Sequence, residues 1–430
     1  MKKIFLNREH IVPEKLNYSI EELRSMSRDE LESIIEEVRW NIIRLIEEEN
    51  HPIFGSDMTV EKINNAYYKL NSDTQKCKFI ELDKEESKAG QSDIKRGALH
   101  CFARTALAIN QWLPEMYLDT KTNGKRIVDQ FYDKDMFLKN MDILINKDRL
   151  KFFKNNPKMK LSQIIKSGLK IVNGNKSVSN FSPDIAKWVY TTSASRLDNE
   201  SKDFYILDTS AGWYGRLAGS LASANTDVLK DKTVHYYCTD VNTTIDDRFY
   251  SITNYWQENI NPEIDFDYYK STVPSEDILQ DDKFSDMTGA FDISFTSIPY
   301  FNAEQYSDDE EQSYIKYKIY DDGSENCWKN GFLHRTIDNI FILLKDGGEF
   351  WINVADVRCT DASYGLPYYT LEQDTVEYAI SIGFTHVYTY KMLMPLMPNL
   401  RATKNTKQKN IVEIDGKKYK FEPIFVFRKE

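Results

Sequence analysis

Residues 205–223 read Tyr-Ile-Leu-Asp-Thr-Ser-Ala-Gly-Trp-Tyr-Gly-Arg-Leu-Ala-Gly-Ser-Leu-Ala-Ser. A short apolar run ends in Asp208, a loop of small residues follows, and further small and apolar residues open a helix. In an open parallel α/β sheet, such a corner is where a ligand meets the carboxyl end of the first strand. Gly212 and Gly215 are the positions where the backbone can approach that ligand without a Cβ in the way.

A second strand with the same ending follows. Residues 234–240 read Val-His-Tyr-Tyr-Cys-Thr-Asp, and Asp240 lies 32 residues after Asp208, about one strand-helix-strand unit along the chain. A carboxylate at a second strand end can accept hydrogen bonds from both hydroxyls of a ribose. The two aspartates therefore predict an α/β sheet that binds a cationic or hydroxyl-bearing ligand.

Dinucleotide binding is the rival interpretation. The loop lacks Gly-x-Gly-x-x-Gly, and Asp208 precedes the glycines, where it would repel a pyrophosphate. An ordinary strand-to-helix turn of some other α/β enzyme also stays open. Residues 208–216 resemble motif I of the class I S-adenosylmethionine-dependent methyltransferases, in the Asp-Pro-x-Ala-Gly-x-Gly-Gly-Arg form of many phage and bacterial DNA methylases.

The resemblance implies a fold and a cofactor. The fold is a Rossmann-like class I methyltransferase α/β sheet with helices on both faces and a terminal antiparallel hairpin, preceded by a mainly helical N-terminal domain. The cofactor is S-adenosylmethionine. Residues 180–183, Asn-Phe-Ser-Pro, resemble the segment that precedes motif I in the same group. The implied cofactor contacts are Asn180, Phe181, Asp208, Ser210, Ala211, Gly212, Gly215, Arg216, Asp240, Val241, Glu276 and Asp277.

A later apolar strand ends in a different motif. Residues 291–300 read Phe-Asp-Ile-Ser-Phe-Thr-Ser-Ile-Pro-Tyr, and Ser297-Ile298-Pro299-Tyr300 resembles motif IV of the amino-group methyltransferases. An exocyclic amine on adenine or cytosine is a poor nucleophile because its lone pair is conjugated with the ring. The Ser297 hydroxyl and the Ile298 carbonyl are expected to accept its hydrogens and aim that lone pair at the methyl group. Pro299 would fix the backbone, and Tyr300 would stack on the base.

Ile298 occupies the place of the first proline of the family motif, so the carbonyl acceptor is kept while rigidity is lost. The same substitution occurs in the adenine dimethyltransferases of ribosomal RNA. The leading hypothesis is methyl transfer to adenine N6 or cytosine N4 in DNA, with the base flipped out of the helix. Methylation of an RNA base is the alternative, and a nucleic-acid-binding protein that has lost turnover is a third.

Composition limits the other possibilities. The 430 residues carry a formal net charge of -11, so contact with nucleic acid must come from local basic segments. The five cysteines are dispersed without any Cys-x-x-Cys pair, and the six histidines form no cluster, so no metal is expected. We expect a cytoplasmic protein of a bacterial cell or phage-infected host, because the sequence shows no secretory signal and no membrane-spanning run.

Two basic segments are candidates for binding nucleic acid, DNA more readily than RNA. Residues 139–176 carry ten basic and two acidic side chains, with Phe152 and Phe153 inside the run, and residues 401–409 form a second patch. A solvated lysine-rich face is the competing interpretation of the first segment.

The turn at residues 173–175 predicts two domains, residues 1–172 and residues 173–430. Ser19 and Ser27 are predicted helix caps, and residues 96–112 are predicted to be helical.

Overall fold

The computed structural model describes residues 17–49, 58–72, 77–85, 94–101, 105–122, 125–146, 156–172, 179–197, 201–303, 305–359, 368–394 and 410–430. Helices and a large sheet together make this part of the chain an α/β structure. The predicted fold class, an α/β sheet with a parallel core and helices before it, is confirmed at this level.

The strands fall into one large sheet and two short ribbons. They are β1 (Cys77–Glu85), β2 (Ile94–Cys101), β3 (Lys121–Thr122), β4 (Lys125–Arg126), β5 (Asp203–Asp208), β6 (Thr233–Thr239), β7 (Phe266–Ser271), β8 (Phe291–Thr296), β9 (Leu344–Asn353), β10 (Val357–Arg358), β11 (Tyr368–Tyr369), β12 (Phe384–Met394), β13 (Ile411–Ile414) and β14 (Lys417–Lys429).

The helices precede the sheet strands and alternate with them. The α-helices are Ile20–Ser25, Arg28–Glu49, Val60–Asn71, Ala106–Ile109, Glu115–Leu118, Asp129–Tyr132, Lys134–Ile145, Leu161–Gln163, Leu169–Val172, Pro183–Arg196, Gly215–Ser223, Asp246–Asn259, Asp282–Ser285, Ser313–Lys316, Arg335–Leu343 and Leu371–Ser381. The 3-10 helices are Asn110–Trp112, Thr243–Ile245 and Ser275–Gln280. The π-helical segments are Ile164–Gly168 and Trp328–His334.

The large sheet has ten strands in the order β1-β2-β12-β14-β9-β8-β5-β6-β7, and β13 pairs with β14. Strands β7, β6, β5, β8 and β9 run parallel to one another. β14 is antiparallel to both β9 and β12, which gives the antiparallel hairpin at the end of the chain. The parallel part therefore reverses its strand order at β5, as in doubly wound α/β sheets.

The chain forms two compact units. One consists of Met1–Ile63, Leu107–Asn180 and Glu304–Asp308, and it has a core of aliphatic and phenylalanine side chains. The other consists of Asn64–Ala106, Phe181–Ala303 and Asp309–Glu430, and it contains the large sheet. Both units are discontinuous along the sequence, and the division into residues 1–172 and 173–430 stays a prediction.

The predicted helix over residues 96–112 is wrong in its first half. Residues 94–101 form β2, which pairs with β1 on one side and with β12 on the other. Gly97 leaves room for the ring of Phe79, since a Cβ there would lie 2.0 Å from a ring carbon. Pairing along both edges outweighs the helix propensity of Ala98 and Leu99.

The predicted helix caps are confirmed. The amide of Glu22 donates to Oγ of Ser19 (3.2 Å), and the amide of Glu30 donates to Oγ of Ser27 (3.3 Å). Each serine satisfies a backbone donor that the first helical turn would otherwise leave unpaired. In the described part of the chain, no helix combines the length and the apolar character needed to cross a membrane.

Candidate functional site

The candidate site lies along one edge of the sheet. β5, β6, β8 and β9 run parallel, so their carboxyl ends meet at this edge. β5 pairs with β6 on one side and with β8 on the other, which puts the reversal of strand order between the two sequence motifs. Ligands of open α/β sheets bind outside the carboxyl ends of the strands at such a reversal.

Asp208 is fully buried at the end of β5. Arg216 donates from Nε to its Oδ2 (2.8 Å) and from Nη2 to its Oδ1 (3.2 Å). The Tyr236 hydroxyl donates to Oδ2 (2.7 Å), and the amide of Ser210 donates to Oδ1 (3.2 Å). A carboxylate has about four acceptor positions, so these bonds fill them. The side chain of Asp208 therefore holds the loop, and its contact with a cofactor stays a prediction.

Arg216 is the second half of this buried pair, with 4% of its surface exposed. Burial by itself lowers the pKa of the guanidinium, but the Asp208 carboxylate outweighs burial and the pKa is raised. The same guanidinium also donates to the carbonyl of Ser210 and lies 5.6 Å from the ring centre of Phe181. Arg216 thus joins the start of its own helix to the loop before it.

Asp240 is arranged differently, because its side chain is partly exposed. The amide of Gly212 donates to Oδ2 (2.7 Å), and the amide of Asn242 donates to Oδ1 (2.9 Å). About two acceptor positions remain. Burial raises the pKa of Asp240, and the Lys270 ammonium together with the two amides offsets part of that increase. This carboxylate can therefore accept hydrogen bonds from a ligand.

The loop between the two aspartates is held in one conformation. Gly212 has φ +55°, and a Cβ there would have only the Ser210 carbonyl oxygen near it, at 3.7 Å. Tyr214 also has a positive φ, 58°, which its buried ring and a hydrogen bond from its hydroxyl to the Ile245 carbonyl (3.2 Å) maintain. The amide of Ala211 donates to the Thr239 carbonyl (3.0 Å). These contacts fix the conformation of the loop.

The remaining predicted cofactor contacts near Asp208 and Asp240 differ in their exposure to solvent. Ser210, Gly212 and Val241 are partly exposed at the sheet edge, whereas Ala211 and Gly215 are buried. Ser210, Gly212 and Val241 can therefore face a ligand, and the cofactor contacts of all five residues stay predictions.

Glu276 and Asp277 lie at the start of the turn Ser275–Gln280, and both are paired with cations. Lys316 lies 3.2 Å from Glu276 and 3.1 Å from Asp277, and Arg335 lies 2.6 Å from Asp277. Burial raises the pKa of Glu276, and Lys316 lowers it in part. Their predicted contact with the adenine amino group stays a prediction.

Asn180 and Phe181 fall in different compact units. The Asn180 side chain donates from Nδ2 to Oδ1 of Asn110 (3.0 Å). Phe181 packs edge-on against Phe295 of β8, with ring centres 5.3 Å apart. Both predicted cofactor contacts stay predictions.

The corner after β8 is organised by Asn353, the last residue of β9. The hydroxyls of Ser297 and Tyr300 both donate to Oδ1 of Asn353, each at 3.3 Å. The Asn353 amide is fixed in turn, because Nδ2 donates to the Pro423 carbonyl (2.9 Å). The side chain of Ile298 is 3% exposed and belongs to the hydrophobic core. Ser297 and Tyr300 thus share one hydrogen-bond partner, and the predicted roles of residues 297–300 toward an amine stay predictions.

Two buried threonine hydroxyls belong to the sequence motifs or adjoin them: Thr209 lies within the first motif, and Thr296 directly precedes Ser297. Leu207 of β5 pairs with Ser294 of β8; two residues later, Thr209 lies just beyond β5 and Thr296 ends β8. Each side-chain oxygen is buried and has no hydrogen-bond partner among the described residues. Buried hydroxyls in proteins are nearly always partnered. Both hydroxyls lie near the carboxyl-end edge of the sheet that also carries Asp240.

Some residues of this edge were not predicted. Asn353 ends an apolar run, as Asp208 and Asp240 do, so the same strand-end criterion applied to residues 350–354 would have identified it. Thr209 and Thr296 lie directly within or beside the motifs but carry no distinctive signal. Tyr236 lies inside an apolar strand, where its bond to Asp208 depends on the tertiary structure.

Part of the predicted basic segments lies outside the described residues. This applies to all of 401–409 and, in the first segment, to Lys147, Arg149, Lys151, Phe152, Phe153, Lys154 and Lys176. Within the described residues of the first segment, Lys139, Lys158 and Lys160 are exposed. Binding of nucleic acid by these segments stays a prediction.

Comparison with known proteins gave structural similarities only. No family model and no curated protein matches the sequence. Solved structures with similarity include a putative class I S-adenosylmethionine-dependent methyltransferase from Listeria monocytogenes (14% identity, 70% of this chain, 80% of that chain, TM-score 0.34). A SAM-dependent O-methyltransferase from Thermotoga maritima has 14% identity over 60% of this chain and 69% of its own, with a TM-score of 0.30. Similarity at this level establishes neither family nor function.

Proposed function

We propose that this protein transfers a methyl group from S-adenosylmethionine to an exocyclic amino group, adenine N6 or cytosine N4, of a base in DNA. One observation carries the proposal: two polar corners share one sheet edge on either side of the strand reversal. Asp240 and Gly212 form the first corner. Ser297, Tyr300 and Asn353 form the second. A methyl donor and an acceptor amine need such a pair of neighbouring sites.

The first corner suits the nucleoside part of the donor. The partly exposed Asp240 keeps about two acceptor positions, which matches two ribose hydroxyls. The backbone of Gly212 is open to approach, because among the described residues a Cβ placed there would have no side-chain atom within 4 Å. S-adenosylmethionine supplies a methyl group on a sulfonium, which is already a good leaving group. Asp208 and Arg216 keep the loop in place for this contact.

The second corner suits the acceptor amine. Because the Ser297 hydroxyl donates its hydrogen to Asn353, its lone pairs are available for a hydrogen of the amine. The Ile298 carbonyl would accept the other hydrogen, while the buried Ile298 side chain holds the backbone in place of the missing proline. Tyr300 is held by the same Asn353 oxygen, with its ring partly exposed beside the corner. Orientation of the amine is the catalytic contribution of these residues.

A transfer assay with two variants tests this assignment. We expect the full chain to move labelled methyl from S-adenosylmethionine to DNA. Asp240→Ala should abolish cofactor binding measured by calorimetry, whereas Ser297→Ala should keep cofactor binding and lower the transfer rate by about 100-fold or more, the scale of losing an oriented polar contact at the reacting group. Equal loss of cofactor binding in both variants would contradict the assigned roles.

The same assay separates the alternatives. Ile298, in the place of the family proline, favours RNA as the second candidate acceptor, so DNA and RNA oligonucleotides are compared side by side. Transfer to RNA alone would replace the proposal by RNA base methylation. Cofactor binding with transfer to neither acceptor would identify a nucleic-acid-binding protein without turnover.

A further inference from the structure

The hairpin end of the large sheet extends past the candidate site. The last residue of β9, Asn353, is in register with Ile424 of β14, Tyr390 of β12 and Gly97 of β2. Beyond that row β12 and β2 continue to Met394 and Cys101, and β14 begins as early as Lys417. At about 3.3 Å per residue, this wall rises roughly 13–23 Å above the edge that carries the site.

One face of this wall is basic. Directly paired residues of a sheet point to the same side, and alternate residues share a face. Lys391 pairs with Ala98, Arg96 pairs with Thr389, and Lys78 pairs with His100. Lys391 also pairs with Pro423 of β14, and Lys417 lies an even number of positions from Pro423 on that strand. Lys417 therefore lies on the same face as Lys78, Arg96 and Lys391. We call Lys78, Arg96, Lys391 and Lys417 the basic face.

No acidic residue shares this face over the paired stretches 78–82, 96–100, 389–393 and 417–425. The cations also act on one another. Burial lowers the pKa of Lys391, and nearby Arg96 lowers it further. Burial also lowers the pKa of His100, with Lys78 and Lys417 adding to the effect. Such mutual repulsion is relieved when an anion binds.

The aromatic rings beside the basic face, and its distance from the candidate site, indicate which kind of anion would bind there. The Lys391 ammonium lies 4.7 Å from the ring centre of Phe421, and His100 packs edge-on against Tyr419. Lys391 is one residue beyond the row of Asn353 and three strands from β8, about 14 Å across the sheet from the end of β8. That span corresponds to a few phosphates of a nucleic-acid strand, whose spacing is about 3.4 Å along the helix axis.

We propose that the basic face binds the phosphate backbone of the nucleic acid whose base enters the corner at Ser297. The chain carries a net charge of -11, so a local cluster of this kind determines where a polyanion can bind. The inference rests on the proposed function in one respect, the choice of nucleic acid as the anion.

The test measures binding without turnover. Anisotropy of labelled single-stranded and duplex oligonucleotides is followed for the full chain from about 50 to 200 mM salt. The triple variant Lys78→Gln, Lys391→Gln, Lys417→Gln is compared with the control Lys202→Gln, Lys230→Gln, Lys283→Gln, which removes the same charge at exposed positions outside the face. Circular dichroism and thermal unfolding check that both variants are folded.

The face variant should lose about tenfold or more in affinity, and its slope of log affinity against log salt should fall by about two to three, since each phosphate contact contributes about 0.7–0.9. The control should match the wild type. If the face variant equals the control, the basic face is not the binding surface, even where methyl transfer occurs. Wild type that binds no oligonucleotide overturns both proposals. If the face variant loses oligonucleotide affinity but the wild type transfers no methyl group, the result supports binding by the basic face and contradicts the proposed methyltransferase activity.

Discussion

Asp208 and Asp240 end or directly follow neighbouring parallel strands, yet the structure gives them opposite surroundings. Asp208 is sealed in by Arg216 and Tyr236, with its acceptor positions filled. Asp240 faces the edge and receives two backbone amides. The difference is that Arg216, on the helix that follows, donates to the side chain of Asp208, whereas the buried Lys270 ammonium donates to the main-chain carbonyl of Asp240.

This difference gives a stability prediction for the buried pair. Asp208→Asn leaves the 4%-exposed Arg216 guanidinium without its counter-charge, so we expect the free energy of unfolding to fall by about 3–5 kcal/mol. Tyr236→Phe, which removes one hydrogen bond to the same carboxylate, should cost only about 0.5–1.5 kcal/mol. Urea unfolding measures both. A loss below about 1 kcal/mol for Asp208→Asn would contradict the structural role.

At the scale of elements, the close approach of two helices positions the loop of the first motif. The helix Gly215–Ser223 packs against the helix Pro183–Arg196 at Gly219. A Cβ on Gly219 would lie 2.4 Å from Cβ of Ala186 and 2.8 Å from the backbone of Pro183 and Lys187. Backbone atoms cannot turn aside as a flexible side chain can, so the glycine sets the distance between the helices.

Gly219→Ala is therefore expected to destabilise the fold. In an uncrowded helix the change would stabilise by about 0.5–1 kcal/mol. Here overpacking should outweigh that gain and lower the free energy of unfolding by about 1–3 kcal/mol. Thermal and urea unfolding provide the measurement. An unchanged or raised unfolding midpoint would show that the helices separate without cost.

At the scale of the whole molecule, a buried histidine makes stability depend on pH. His386 is 7% exposed, and burial lowers its pKa to about 4, with a hydrogen-bond contact to the Tyr388 carbonyl opposing the shift. The unfolded chain, in which the pKa is about 6.5, binds the proton that the folded chain rejects. Stability is thus fully present above about pH 6.5 and falls as the pH drops towards 4.

The variant His386→Phe isolates this contribution, because it keeps a ring against Phe427 and cannot titrate. Its stability relative to the wild type should rise by about 2 kcal/mol between pH 7.5 and pH 5, at about 1.4 kcal/mol per pKa unit. Denaturant unfolding of both proteins at the two pH values gives this difference. A constant difference would mean that His386 titrates normally in the folded chain.

The sequence by itself determined that two apolar strands each end at a polar edge, because each strand and its ending are contiguous residues. An apolar run closed by Asp208 or Ser297 requires a buried strand that ends at a polar edge, whatever the rest of the chain does. Helix caps such as Ser27 are equally local, since donor and acceptor lie three residues apart.

Tertiary structure alone decided which polar side chains have their hydrogen-bonding positions occupied by other protein groups and which keep them available to a ligand. Asp208 meets Tyr236 of the next strand, and Asn353 joins Ser297 across strands 56 residues apart, so no local pattern contains these bonds. Residues 94–101 became a strand because two distant partners pair with them, against their own helix propensity. The basic face likewise exists only because sheet register brings four separated segments onto one side.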